Sequence, residues 1–236
     1  MTSINLIRRI KNSLRSRFKT SLDTFIKNRD ISLVFKSFLG NRDSKIVIIG
    51  SNTGQEVPFY LRFFSRIDLV DPLIHRLRMH PSCKSKCVHL HSFAISNITG
   101  STPLFIASNN GESTSLLKPS HHLLEYSSIT FENSETSGKR LHDLDFFKSA
   151  NVLMLDVQGS EIDVLNSTFP FGLKHLSIIV CEYSLVPLYE GSGDLSALTS
   201  YLEAHDFTLA FTISPYISRT ECTADALFLK KDLLIN

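Results

Sequence analysis

Lys45-Ile46-Val47-Ile48-Ile49-Gly50-Ser51-Asn52-Thr53-Gly54 is the stretch that decides the fold. Its apolar, mostly β-branched run predicts a short strand buried on both faces, as in a parallel sheet. A glycine turn follows at once, and Gln55-Glu56-Val57 opens a helical stretch to about Phe64. Strand, glycine turn and helix are the start of a nucleotide-binding βαβ unit. Gly50 permits the tight turn, and Gly54 is expected to let a ligand approach the backbone. The N–H groups entering the helix favour a carboxylate or phosphate.

Arg66-Ile67-Asp68-Leu69-Val70 reads as the next strand, with Asp71 at its carboxyl end, 21 residues beyond Gly50. An acid there can accept both hydroxyls of a ribose. The loop is Gly-x-Asn-x-Gly rather than Gly-x-Gly-x-x-Gly, and no Gly-Lys-Ser/Thr follows. The pyrophosphate turn and the P-loop are therefore both missing. A nucleoside without phosphates is the better guest, S-adenosylmethionine being the common one; a tight βα turn with no ligand is the plain alternative.

Val88 to Ile95 reads as a third strand and Thr102 to Ala107 as an added one. Ser108 to Ser115 is polar and reads as a flexible loop over the site. His121 and His122 follow it, either as bases or, more plainly, as solvated loop residues. Asn151-Val152-Leu153-Met154-Leu155 is a fourth buried strand, running into Asp156-Val157-Gln158-Gly159-Ser160-Glu161 and a helix to about Leu165. Leu176 to Cys181 is a fifth, with Glu182 at its end. Asp194 to His205 reads as a helix, and Phe207–Ile213 with Ala224–Leu229 as two closing strands.

Ligands of open α/β sheets lie beyond the carboxyl ends of the strands. Gly50, Asp71, Asp156 and Glu182 therefore point at one crevice. Asp156 and Glu182 can orient a substrate hydroxyl or take its proton, or they can hold a hard divalent cation. Glu161 is a further catalytic candidate, although an acid in a first helical turn also serves as a cap. His80, Cys83, Cys87, His89 and His91 raise a zinc reading, but no second closely spaced pair completes the set, so no metal residues are assigned.

The chain has 236 residues, 42% apolar and 20% charged, which is ordinary globular composition. Its net charge of +2 is uneven: residues 1–30 carry +6 and the remainder −4. A mildly acidic body argues against gripping a phosphate backbone, so no nucleic-acid partner is expected. Four scattered cysteines do not make a disulfide framework, and no uninterrupted apolar run follows the N-terminal charges. A reducing, cytoplasmic setting without a secretory leader is the expectation. Leu6, Ile7, Ile10, Leu14, Phe18, Leu22, Phe25 and Ile26 recur at helical spacing among basic residues. That helix is expected to end near Asn28–Asp30, with a second short one over Leu33–Leu39 and a turn at Gly40–Asp43. Residues 1–43 thus read as a basic amphipathic appendage and 44–236 as the main domain. Residues 4–28 fit a cover over the domain, a homo-oligomer joint, peripheral membrane contact or a targeting segment.

Several stretches stand in one order and spacing: Ile48 to Gln55, Asp71-Pro72, Phe93-Ala94-Ile95-Ser96-Asn97, Leu155 to Glu161, Glu182-Tyr183 and Val186-Pro187-Leu188-Tyr189-Glu190-Gly191. Together, over about residues 45–230, they resemble the FkbM-type methyltransferases, a family of S-adenosylmethionine-dependent O-methyltransferases. The resemblance implies a Rossmann-like class I methyltransferase fold, α/β, with a mostly parallel seven-stranded sheet and helices on both faces. It implies methyl transfer to a hydroxyl of a sugar, glycan or other small-molecule acceptor. By it, Gly50, Ser51, Asn52, Thr53 and Gly54 bind the methionine end of the cofactor, Asp71 its ribose, and Ala94 and Ile95 lie near the adenine. Asp156 then sits beside the methyl group and the acceptor. The chain departs from the family at Gln158, where Glu is usual, at Ser51, where Ala is common, and at Asp71, where Glu often precedes Pro. Losing a carboxylate at 158 weakens the divalent-cation alternative. A scaffold protein that kept the fold and lost the chemistry is the other alternative.

Overall fold

The computed structural model describes residues 23–39, 43–213 and 223–234. Its centre is a seven-stranded sheet of β1 (Lys45–Ile49), β2 (Arg66–Val70), β3 (Val88–His91), β7 (Val152–Leu155), β8 (Ile178–Ser184), β9 (Phe207–Ile213) and β10 (Thr223–Lys230). The order is β3-β2-β1-β7-β8-β10-β9. β3, β2, β1, β7 and β8 run parallel, and β10 is antiparallel to both its neighbours. The order reverses between β1 and β7, which is the switch point where such sheets open a crevice. A three-stranded sheet, β4 (Ala94–Ile95), β6 (Phe131–Lys139) and β5 (Gly100–Ala107), stands beside it, with the short helix α3 (His122–Glu125) in the connection from β5 to β6. This is the α/β architecture with a mostly parallel seven-stranded sheet that the sequence resemblance implies.

Continuous apolar strands need cover on both faces, and they have it. One core joins alternate residues such as Ile46, Ile48, Met154 and Val180 to α1 (Asp23–Phe38) and α2 (Val57–Tyr60). The other joins Val47, Ile49, Leu153 and Ile179 to Phe147 of α4 (Asp145–Lys148), Val164 and Leu165 of α5 (Glu161–Asn166), and Leu198 and Leu202 of α6 (Leu195–Glu203). Asp194 caps α6, its carboxylate accepting the Ala197 N–H at 2.8 Å.

Four local expectations are corrected. Helix α1 is continuous through Asn28–Asp30, with no break and no separate helix over Leu33–Leu39. Its latter half is held by packing: Ile31, Val34, Phe35 and Leu39 are buried, and Phe35 meets Phe59, Tyr60, Phe63 and Phe64. The segment Val88–Ile95 is two strands, because after His91 the chain leaves the main sheet and Ala94–Ile95 pairs with Gly138–Lys139. The helix after the glycine turn is only Val57–Tyr60, continued by turns. Strand β6 is additional; Phe131 to Gly138 pair antiparallel with β5. The amphipathic stripe before residue 23 lies outside the described residues. No described helix is long and apolar enough to cross a membrane.

Candidate active site

A cavity of about 290 Å³ opens at the carboxyl ends of β1, β2, β7 and β8, close to the lower bound of about 300 Å³ for small-molecule sites. Ile49, Gly50, Asn52 and Asp71 form one side, and Asp156, Gln158 and Glu182 the other. Phe93, Ala94, Ile95 and Leu104 give an apolar wall, and the turn carrying Gly111, Glu112, Thr114 and Ser115 closes over it.

Asp71 is buried at the tip of β2. Its Oδ2 accepts the Asn52 N–H at 2.9 Å and its Oδ1 the Leu73 N–H at 2.8 Å. Burial pushes its carboxyl above the ordinary range, and these two N–H groups pull it part of the way back. Each oxygen keeps a lone pair for a further donor such as a ribose hydroxyl. Because Asn52 is tied to Asp71, the acid also shapes the glycine loop.

The two glycines of that loop serve packing. Gly50 has φ +83°, its N–H donates to the Val70 carbonyl at 2.9 Å, and a Cβ there would lie 1.7 Å from the Asp156 carbonyl oxygen. Gly54 differs from the expectation of ligand approach: a Cβ would meet Cys83 Sγ at 2.6 Å and Leu69 Cδ1 at 3.3 Å, so protein fills that direction. Ser51 and Gly54 line a smaller void of about 100 Å³ behind the loop, which shares Gly50, Asn52, Gln55 and Asp156 with the main cavity. Thr53 lines neither; its carbonyl accepts the His80 N–H at 2.8 Å.

Ser51 Oγ and Asn52 Oδ1 are buried without a hydrogen-bond partner among the described residues. Such orphaned atoms cost about 1–3 kcal/mol each, and a guest that pairs them recovers it. Asn52 lines the main cavity, and an amino-acid tail carries a donor for its amide oxygen; Ser51 lines only the smaller void. With the Asp71 oxygens and the apolar wall of Ala94 and Ile95, the residues present fit S-adenosylmethionine.

The opposite end is acidic. Gln158 Nε2 donates to Asp156 Oδ1 at 2.9 Å and to Glu182 Oε2 at 2.7 Å. Burial, then the charges of Asp156, Asp225 and Glu161, push the Glu182 carboxyl well up. Gln158 has φ +54° and Gly159 +99°; a non-glycine residue held there costs about 1–2 kcal/mol. The turn is pinned: Glu161 Oε1 accepts the N–H groups of Val157 and Gly159, both at 3.2 Å, and Ser115 Oγ donates to the Gln158 carbonyl at 2.8 Å. Glu161 itself does not line the cavity. Burial, reinforced by Asp156, pushes its carboxyl up to about 7.

The structure thus brings Gly50, Asn52, Asp71, Ala94, Ile95, Asp156 and Glu182 together, and leaves Ser51, Thr53, Gly54 and Glu161 behind that surface. Gln158 and Phe93 are lining residues that spacing alone did not single out as site residues. His122 is corrected from a solvated loop residue: it is buried against Tyr126, Phe131 and Tyr189, away from the cavity. The residues of the zinc reading are engaged separately. His91 Nε2 pairs with Asp68 at 2.8 Å, His80 Nδ1 accepts the Ser82 N–H, and Cys83 backs Gly54.

A family model described as "Methyltransferase FkbM domain" matches residues 39–209. A search of curated proteins finds no match. Among solved structures, an rRNA methylase from Streptococcus thermophilus is 10% identical, with TM-score 0.48, covering 91% of this chain and 99% of that one. The N-methyltransferase NodS from Bradyrhizobium japonicum is 11% identical, TM-score 0.47, covering 88% and 97%. Magnesium protoporphyrin IX methyltransferase from Synechocystis, with bound SAH, is 7% identical, TM-score 0.49, covering 97% and 95%. At such identities and TM-scores, nothing about substrate passes from these proteins to this chain.

Proposed function

Because the chain belongs to the FkbM methyltransferase family, we propose that it transfers a methyl group to a hydroxyl oxygen of a sugar, glycan or other small molecule. That it is a methyltransferase using S-adenosylmethionine follows from the family. One observation carries the proposal: a single cavity is lined by the Asp71 carboxylate and apolar residues on the β2 side and by the half-buried Asp156–Glu182 pair on the β7–β8 side.

When bound, S-adenosylmethionine supplies an electrophilic methyl carbon. The chain's own residues then have three tasks. Asp71 and the Asn52 loop hold the nucleoside in register, while Phe93, Ala94, Ile95 and Leu104 exclude water from it. The acceptor oxygen must be held about 3–3.5 Å from the carbon, and orientation of this kind supplies much of the rate. A hydroxyl is a weak nucleophile until its proton leaves, and the Asp156–Glu182 pair is placed to receive that proton. The mildly acidic body supports a small or glycan acceptor over a nucleic acid. Peripheral membrane contact through residues 4–28 and a homo-oligomer are further proposals that rest on the N-terminal pattern alone.

The test is incubation with methyl-labelled S-adenosylmethionine and panels of monosaccharides, glycans and polyols, with products located by mass spectrometry. An O-methyl product lost in Asp156→Asn supports the reading. Label transferred only to nitrogen or carbon overturns it.

A further inference from the structure

We propose that the Gln158 carboxamide is a positioning residue that holds Asp156 and Glu182 as a proton-sharing pair, one carboxyl protonated and the other ionised. The proposal deepens the methyl-transfer reading and rests on it for its consequence in catalysis.

Gln158 stands where the family usually carries Glu, and its backbone is left-handed, beside a glycine that adopts such a conformation more readily. The turn is fixed by Glu161 and Ser115 so that the side chain, not the backbone, reaches across the strand ends. One Nε2 donates to Asp156 Oδ1 and to Glu182 Oε2, bridging the tip of β7 to β8 with two N–H bonds and no charge. Both carboxylates thus lie against one nitrogen, at 2.9 and 2.7 Å. Two half-buried carboxylates that share one donor nitrogen repel each other, so the pair keeps one proton between its two carboxyls. The carboxamide turns its NH2 to the pair while its Oε1 accepts the Tyr189 hydroxyl at 3.3 Å, so through Nε2 it favours whichever carboxyl is ionised. A carboxylate at 158 would add a third negative charge.

The groups facing the pair are Glu161 from α5, Asp225 from β10, Tyr189 from the segment after β8, and Tyr60 with Glu56 from the α2 side. Most are acidic or acceptors, so removing the bridging donor raises the pH at which the pair loses its shared proton. In transfer, the acceptor oxygen bonds to the methyl carbon as the carbon–sulfur bond breaks with its electron pair staying on sulfur. The hydroxyl proton passes to the ionised carboxylate.

The test titrates the carboxyl C=O infrared band of the ligand-free protein in wild type, Gln158→Met and Gln158→Glu, with Glu182→Gln to assign the band. The expected result is a protonated-carboxyl band at neutral pH in wild type whose component from the pair is lost in Glu182→Gln, while the component from Glu161 remains. The pair's midpoint should move upward by about one pH unit, a tenfold change in proton affinity, in both Gln158 variants. In parallel, the affinity ratio of S-adenosylmethionine to S-adenosylhomocysteine is followed with pH. The ionised carboxylates favour the sulfonium, so this preference should strengthen as the pair loses its shared proton, and do so at higher pH in the variants than in wild type. A midpoint unmoved in the variants that fold, or no protonated-carboxyl component lost in Glu182→Gln at neutral pH, overturns the proposal. Failure of both adenosyl compounds to bind wild type instead removes the methyl-transfer reading, while the infrared titration still decides the pair.

Discussion

Asp71→Asn separates the two tasks of the acid at the end of β2. Both carboxylate oxygens already accept backbone N–H groups, from Asn52 at 2.9 Å and Leu73 at 2.8 Å. An amide has one oxygen, so whichever way it turns, its NH2 faces a donor and one buried N–H loses its acceptor. That costs about 1–3 kcal/mol. The variant also removes the burial cost of a charge whose carboxyl is already pushed up, which offsets part of the loss. A net destabilisation of about 1–2 kcal/mol follows, or roughly 2–8 °C in Tm for a chain of this size. The cofactor loses more. A ribose hydroxyl bonded to a charged acceptor is worth about 1.5–3 kcal/mol, so S-adenosylhomocysteine should bind about 10- to 150-fold more weakly. Urea melts give the first quantity and isothermal titration calorimetry the second. Loss of stability with affinity within twofold of wild type would refute the ribose role and leave Asp71 as a loop anchor only.

Gly50→Ala places a Cβ 1.7 Å from the Asp156 carbonyl oxygen, a backbone atom fixed in the β1–β7 pair. The urea midpoint should fall by more than about 3 kcal/mol equivalent. Gly172→Ala has φ +75° and nothing within 4 Å, so it should lose only the conformational term of about 1 kcal/mol. Glu161 carries a carboxyl raised from 4.5 to about 7, so the native state holds its proton more tightly than the unfolded chain. Its contribution is complete below pH 4.5 and is lost as pH rises through about 7. Glu161→Gln keeps an oxygen for the Val157 and Gly159 N–H groups without that dependence. It should therefore gain up to about 3 kcal/mol on wild type between pH 5 and 8 in urea melts; parallel curves would contradict this. Phe35→Ala empties a site walled by four aromatic rings and should cost about 3–5 kcal/mol. A loss under 1 kcal/mol would show α1 to be dispensable to the core.

The parallel half of the sheet was legible because its strands are short, apolar on both faces and each bounded by a turn. Asp71 and Asp156 followed from their places at strand ends, where topology forces them to one rim; Glu182 lies inside β8, which runs on to Ser184 beside β10, rather than at its end. Strand β6 was not legible. Phe131-Glu132-Asn133-Ser134-Glu135-Thr136-Ser137-Gly138-Lys139 is mostly polar and exposed, and it is a strand only because β5 lies beside it. Helix α1 ran through an apparent stop at Asn28–Asp30 because burial of Ile31, Val34 and Phe35 outweighs weak local preference. Gly54 was misread since a glycine's neighbour, ligand or Cys83, is decided by chain distant in sequence. The bridge made by Gln158 is likewise visible only once β7 and β8 are adjacent.

Calorimetric titration of the purified full-length chain with S-adenosylhomocysteine addresses the cavity itself. One molecule should bind per chain, in chelator as well as without it, and at 100 times its Kd it should stabilise the fold by about 2.7 kcal/mol. No heat from folded protein, together with an unchanged melting curve at millimolar ligand, would mean that the crevice between β1 and β7 does not hold the adenosyl group.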